Sequence, residues 1–180
     1  TDGRYTSAFP QAGGAEDFRR YLREEVIPYI ESHYRAGARR GIVGESLAGL
    51  FIVDTFFDEP SLFHDYIAVS PSLWWDDRAL ARRAQQLFEE QGASDRRMYL
   101  SVAQEDGTMR DGIDRVRAVL ASAPAKLTFR FVDRNSETHA TTFHPAALHA
   151  LRWLYPTPPI DYGPRPWWLD DGASPPAQPH

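Results

Sequence analysis

The chain has 180 residues, 42% of them hydrophobic and 25% charged, which is enough apolar mass for one buried core and sets the expectation of one globular domain. A net charge of −5, with acids and bases interspersed, argues against nucleic acid or an anionic membrane surface as a partner, and no apolar run reaches spanning length. The lack of cysteine excludes a disulfide framework and a thiol nucleophile, but it leaves the compartment open between cytoplasmic and periplasmic or secreted.

In chain order, the first long element is a helix over about Ala15 to Tyr34. Phe18, Leu22, Val26 and Ile30 form one apolar stripe, with Arg19 and Arg23 off it and a kink expected at Pro28. A short strand from Arg40 to Gly44 runs into a helix from Leu47 to about Phe57. Tyr66 to Ser70 is a continuous apolar run of the kind buried on both faces of a parallel sheet. Asp76 or Asp77 is placed to cap a helix that ends near Gln91, and Arg97 to Ala103 returns as a strand. Met109 to Ser122 reads as a helix, Lys126 to Val132 as a strand, and about Pro145 to Tyr155 as the last helix. Alternation of this kind predicts an α/β fold built on a mostly parallel sheet over residues 1–155. The segment 156–180 is rich in proline and lacks periodicity, so it reads as a tail. Trp167 and Trp168 within it are aromatic enough to dock somewhere.

The strongest local signal is Gly44-Glu45-Ser46-Leu47-Ala48-Gly49, where a strand turns sharply into a helix. Such a turn strains the backbone of its central residue and lifts that side chain clear of the sheet, so the positions two before and two after must be small. Gly44 and Ala48 meet that demand. The plain alternative is a glycine-rich connection with an incidental serine.

A serine hydroxyl needs a base, and the base needs a group that fixes its tautomer. Gln104-Glu105-Asp106-Gly107 follows one strand, and Glu137-Thr138-His139-Ala140 follows the next. Both lie at carboxyl ends of strands, where open α/β sheets keep their chemistry. The order Ser, acid, His is that of α/β-hydrolases. Of the six histidines, His33, His64, His144, His149 and His180 lie on helices, in a connection or at the tail, leaving His139 as the candidate base. For the acid, Asp106 is favoured over Glu105, because a short carboxylate suits the orienting role. No cluster of histidines and acids has metal-ligand spacing, so neither a metal nor a cofactor is expected.

Several segments together resemble the Putative esterase family of α/β-hydrolases, which includes enterobactin-type siderophore esterases, feruloyl esterases and esterase-D-like enzymes. The resemblance spans nearly all of residues 14–155 and is carried by Gly14 to Phe18, Val26-Ile27-Pro28, Gly44 to Leu50, Val69-Ser70-Pro71-Ser72-Leu73-Trp74-Trp75 and Glu137 to Ala140. It implies a three-layer α/β-hydrolase fold and a serine carboxylic-ester hydrolase working through an acyl-enzyme on a small-molecule ester. Ser46 would be the nucleophile, His139 the base, Asp106 or Glu105 the acid, and the amide of Leu47 an oxyanion donor. Glu45, Trp74 and Trp75 would contact substrate. In the family's acid segment a Gly-x-x-Asp pattern is common, and Ala103 replaces that glycine here.

Family members carry further strands ahead of the elbow, and a loop there supplies the second oxyanion donor. Only 45 residues precede Ser46. The expectation is therefore a sheet lacking its N-terminal strands, self-association through an open edge, and weak catalysis, since one lost oxyanion donor costs on the order of 10²–10³ in turnover. The alternative is a non-catalytic hydrolase-like fragment that binds an acyl or aromatic ligand, or a protein partner.

Overall fold

The computed structural model describes residues 3–91, 95–122, 127–161 and 163. Trp167 and Trp168 lie outside the described residues, as does most of the proline-rich segment. The apolar runs form four parallel strands, β1 (Gly41–Glu45), β2 (Asp65–Val69), β3 (Arg97–Ala103) and β4 (Thr128–Arg134), in the spatial order β1-β2-β3-β4. Their register is level: Glu45 lies beside Val69, Val69 beside Ser101, and Ser101 beside Val132. The loops after all four strands consequently open along one edge of the sheet, the edge at which parallel sheets present chemistry.

Helices α4 (Ser46–Asp58), α5 (Trp75–Glu89) and α6 (Gly107–Ala121) cover one face. There Ile52, Phe56, Tyr66, Leu100, Ile113 and Leu120 belong to one core cluster. Helix α7 (Phe143–Leu154) covers the other face, setting Ala146, Ala150 and Leu154 against Ile67, Val69 and Tyr99. Residues of β2 therefore alternate between two cores, and all five are buried, as the unbroken apolar run predicts. The result is the helix–sheet–helix sandwich of the α/β-hydrolase class. β1 is the outer strand on its side, with Val43 44% exposed, so that edge of the sheet is open among the described residues. No helix among them is long and apolar enough to cross a membrane.

Three local features differ from the sequence reading. The first helix is two α-helices, α2 (Ala15–Tyr21) and α3 (Ile27–His33), joined by a π-helical turn at Leu22–Val26. The Ile27 N–H reaches back five residues to the Leu22 carbonyl, and the widened turn lies just ahead of Pro28, which has no N–H to give a helix. Its predicted apolar stripe is only partly covered, with Phe18 and Ile30 exposed. Arg19 does the docking instead: it is 6% exposed and bonds Asp54 and Asp58 of α4. Ahead of these helices lies α1 (Gly3–Ala8), which the sequence reading did not identify. Finally, Asp76 and Asp77 do not cap α5. Asp76, Asp77 and Arg78 have φ of 50°, 50° and 61°, a left-handed turn costing roughly 1–2 kcal/mol per residue. It is tied by the Arg82 guanidinium on Asp77 and by Arg78 on Asp111.

At the far end of the strands, the Asp65 carboxylate is 1% exposed and receives Arg97 at 2.6 Å and 2.8 Å, Arg39 at 3.0 Å, and the Tyr155 hydroxyl. Arg97 also donates to the Leu154 carbonyl, so one buried acid joins the sheet to the end of α7. Burial pushes the Asp65 pKa up, but bonds from Arg97, Arg39 and Tyr155 outweigh it and hold the group well below the usual carboxylate range. The unfolded chain, with an Asp pKa near 3.9, then takes up protons before the folded one does. The stability this network contributes is full above about pH 4 and is lost as pH falls below that. Asp65→Asn should cost about 3–5 kcal/mol, as for other broken buried pairs. Thermal unfolding from pH 7 to pH 3 should show a low Tm with a shallower acid limb; an unchanged Tm would remove the network from the fold's stability.

Candidate active site

Ser46 is where β1 becomes α4, and its φ of +58° is the strained left-handed angle expected of an elbow. A methyl group added at Gly44 would lie 2.8 Å from the Ala48 Cβ, so these two positions must be small because they face each other. Gly49 is equally constrained, since a Cβ there would lie 3.0 Å from Pro71. The Leu47 amide falls in the first turn of α4, whose N–H groups have no carbonyl four residues back and carry the positive end of the helix dipole.

The loop after β3 places the two acids differently. Glu105 N–H bonds back to the Ala103 carbonyl, which turns the Glu105 side chain inward. It is 5% exposed, and its Oε1 lies 2.6 Å from Nδ1 of His139. Asp106 occupies the N-cap position of α6 and is exposed, with no bond to His139. The structure thus brings Glu105, and not the favoured Asp106, to His139: the tight turn consumes one residue, and the longer side chain is the one that reaches the imidazole. The other Glu105 oxygen, Oε2, is buried without a partner among the described residues.

Hydrogen bonds stitch these loops together. The Ser70 hydroxyl accepts the Ala103 N–H at 2.9 Å, and the Gln104 N–H donates to the Glu137 carbonyl at 2.8 Å. Ser72 N–H donates to the Ser46 carbonyl at 3.0 Å, and the two hydroxyls lie 3.2 Å apart. Sequence reasoning gave Ser70 and Ser72 no role. Their only signal was the Ser-Pro-Ser segment itself, because the approach of Ser72 to a residue 26 positions earlier is purely tertiary. Among the described residues no direct hydrogen bond joins Ser46 to His139, whose ring is 41% exposed; such bonds commonly tighten only when substrate arrives.

Other histidines are engaged elsewhere. His64 accepts the Arg40 N–H, and His33 bonds the Tyr29 carbonyl on its own helix. His149 bonds the Tyr99 hydroxyl, and burial, with Arg130, Arg134 and Arg152 nearby, pushes its pKa below the ordinary value.

Trp75 lines two hollows, of about 420 Å³ and 450 Å³, that share Leu47 beside the elbow. Tyr5 and Phe9 pack on its ring at 5.0 Å and 5.2 Å. Leu50, Phe51 and Leu80 add an apolar wall, with Asp54, Asp76 and Arg83 around it. Trp74 lines neither hollow and packs against Trp75 at 5.8 Å. Glu45 is half-buried, and its Oε1 has no partner among the described residues. A larger hollow, of about 670 Å³, opens near His64 and Arg96 at the starting ends of β2 and β3, away from the elbow. Among the described residues no group of three or more His, Asp or Glu could hold a metal ion.

A strained serine on a strand-to-helix turn, at the carboxyl edge of a level parallel sheet and followed in sequence by an acid–histidine pair, defines a protein of the α/β-hydrolase class. Comparison with known proteins narrows the class. The ferri-bacillibactin esterase BesA of Bacillus subtilis is 42% identical over 76 residues, 42% of this chain and 25% of BesA. The siderophore enterobactin esterase of Emericella nidulans is 35% identical over 91 residues, 48% of this chain and 30% of that protein. The crystal structure of the BES protein from Bacillus cereus superposes with a TM-score of 0.73 at 25% identity, over 82% of this chain and 58% of that one. The matches thus span less than two thirds of the length of these proteins. The family model described as "Putative esterase" matches residues 1–155, and the chain belongs to that family.

Proposed function

We propose that this chain carries the nucleophile, base and acid of a serine carboxylic-ester hydrolase, with siderophore-type esters, as in the names of its relatives, the favoured substrates. The observation that carries the reading is the 2.6 Å contact between His139 Nδ1 and the buried Glu105 carboxylate, on loops stitched together and level with the strained Ser46. A carboxylate on Nδ1 keeps the proton there and leaves Nε2 free to accept one. In this mechanism Ser46 Oγ bonds to the ester carbon while its proton passes to His139 Nε2 and the carbonyl electrons move onto oxygen, facing the Leu47 amide. Collapse breaks the carbon–oxygen bond to the alcohol, which leaves with the proton from His139. Water then repeats the sequence on the acyl-enzyme. The hollows at Trp75 and Leu47 would take the apolar arm of the ester.

A fluorophosphonate probe tests the reading without a known substrate. It should label the folded chain at Ser46, shown by peptide mass spectrometry, and Ser46→Ala should abolish labelling. A folded chain that resists the probe would favour a non-catalytic, ligand-binding role.

A further inference from the structure

Ser72 touches the reacting serine twice yet belongs to a different loop. It is 1% exposed, so no bulk water serves its hydroxyl. Its N–H is spent on the Ser46 carbonyl, and among the described residues the Ser46 Oγ, 3.2 Å away, is the partner of its own Oγ. Either hydroxyl could donate at this distance, but a buried hydroxyl gives its proton to an available acceptor rather than leave it unpaired, which favours Ser72 as the donor and Ser46 Oγ as the acceptor. That direction leaves the Ser46 proton free for a base.

The loop that carries Ser72 is fixed from several sides. Pro71 presses on Gly49 of α4, where an added Cβ would lie 3.0 Å from the Pro71 Cα. Leu73 presses on Gly112 of α6, where an added Cβ would lie 2.7 Å from the Leu73 carbonyl oxygen. Ser70, at φ +39°, is tied to both Ser101 and Ala103 at the end of β3. This clamping cannot follow the nucleophile, so the hydroxyl waits at a set distance.

We infer that Ser72 is a positioning residue for the nucleophile: it holds the Ser46 side chain over the elbow and donates a hydrogen bond to Oγ that strengthens as negative charge builds there. This rests on the reading of Ser46 as nucleophile. At 3.2 Å the bond is long for two neutral hydroxyls, and bonds to charged oxygen are shorter and about twice as strong, so its contribution is greatest as the proton leaves. The Ser46 proton passes to His139 throughout, and Ser72 keeps its own.

The test is the rate of fluorophosphonate labelling in the full chain, measured as kinact and KI for wild type, Ser72→Ala and Ser72→Cys, with thermal melts of each. Ser72→Ala should lower kinact about ten- to a hundred-fold with KI within twofold, as expected when a hydrogen bond to a charged group is lost. Ser72→Cys, a weaker donor, should recover part of it. Labelling of Ser72→Ala at the wild-type rate overturns the inference while leaving the nucleophile in place. A loss that cysteine does not recover, or one confined to KI or matched by a collapse in Tm, shows a structural role and also overturns it. A folded wild type that is not labelled at all overturns both this inference and the proposed function.

Discussion

Ser46→Ala is expected to lower hydrolysis of a short p-nitrophenyl ester by about 10⁴–10⁶-fold, and Ser46→Gly to do the same while melting above the alanine variant. Both variants remove the oxygen that would bond to the ester carbon. They differ in the backbone: at φ +58° a residue with a Cβ bears roughly 1–2 kcal/mol of left-handed strain, and glycine bears none. Part of that gain is lost to the greater freedom of glycine in the unfolded chain, about 0.4–1 kcal/mol. A net gain over alanine of up to about 1.6 kcal/mol corresponds to at most roughly 3–6 °C for a chain of this size. Alanine keeps the strain and, like glycine, leaves the buried Ser72 hydroxyl without its Ser46 partner, so it should melt below the wild type. Paired turnover and melting measurements check this, and an active alanine variant would exclude Ser46 as the nucleophile. A glycine variant that melts no higher than the alanine variant would instead show that the elbow is held without strain.

Much of this architecture is legible in the sequence because it rests on patterns of short range. β2 and β3 read as buried strands because they are almost unbroken apolar runs, and both faces of the sheet are in fact covered. Gly44 and Ala48 mark the elbow because their smallness is a steric requirement between positions four apart. His139 stands out because every other described histidine is engaged or placed elsewhere. What escapes is set by tertiary packing. Arg19 reads as a surface charge but is buried, because two aspartates on α4 meet it from 35 and 39 residues away. Asp76 and Asp77 resemble helix caps, yet the chain makes a left-handed turn there, secured by Arg82 and Arg78. Ser72 meets Ser46 only when two loops are brought level by strand register. Which carboxylate meets His139 escapes for a smaller reason: one backbone bond, Glu105 N–H to the Ala103 carbonyl, goes with the inward placing of Glu105 rather than of its neighbour.

Glu105→Gln should therefore cost about 10²–10⁴ in turnover, whereas Asp106→Asn should change it by less than about threefold, the reverse of what carboxylate length alone implies. An amide at position 105 can place its NH₂ against His139 Nδ1. That reverses the tautomer and puts the proton on Nε2, where the base must be empty to receive one from Ser46. The loss should appear in the first chemical step, with substrate binding little affected. Glu105→Asp keeps the charge but is one methylene shorter, so it cannot restore a 2.6 Å contact from the same turn and should fall between wild type and glutamine. Asp106 acts on another link of the chain: it stands at the N-cap of α6 without a side-chain capping bond, so what it offers the helix is its charge near the positive end of the dipole. Asp106→Asn should thus lose only the interaction of its charge with the helix dipole, about 0.3–1 kcal/mol, visible as a small drop in Tm with turnover intact. Steady-state kinetics and melts on the three variants separate the roles. If asparagine at 106 costs more turnover than glutamine at 105, the acid is Asp106. Small, equal losses would reduce the machinery to a Ser46–His139 pair, with Glu105 serving only to anchor the loop.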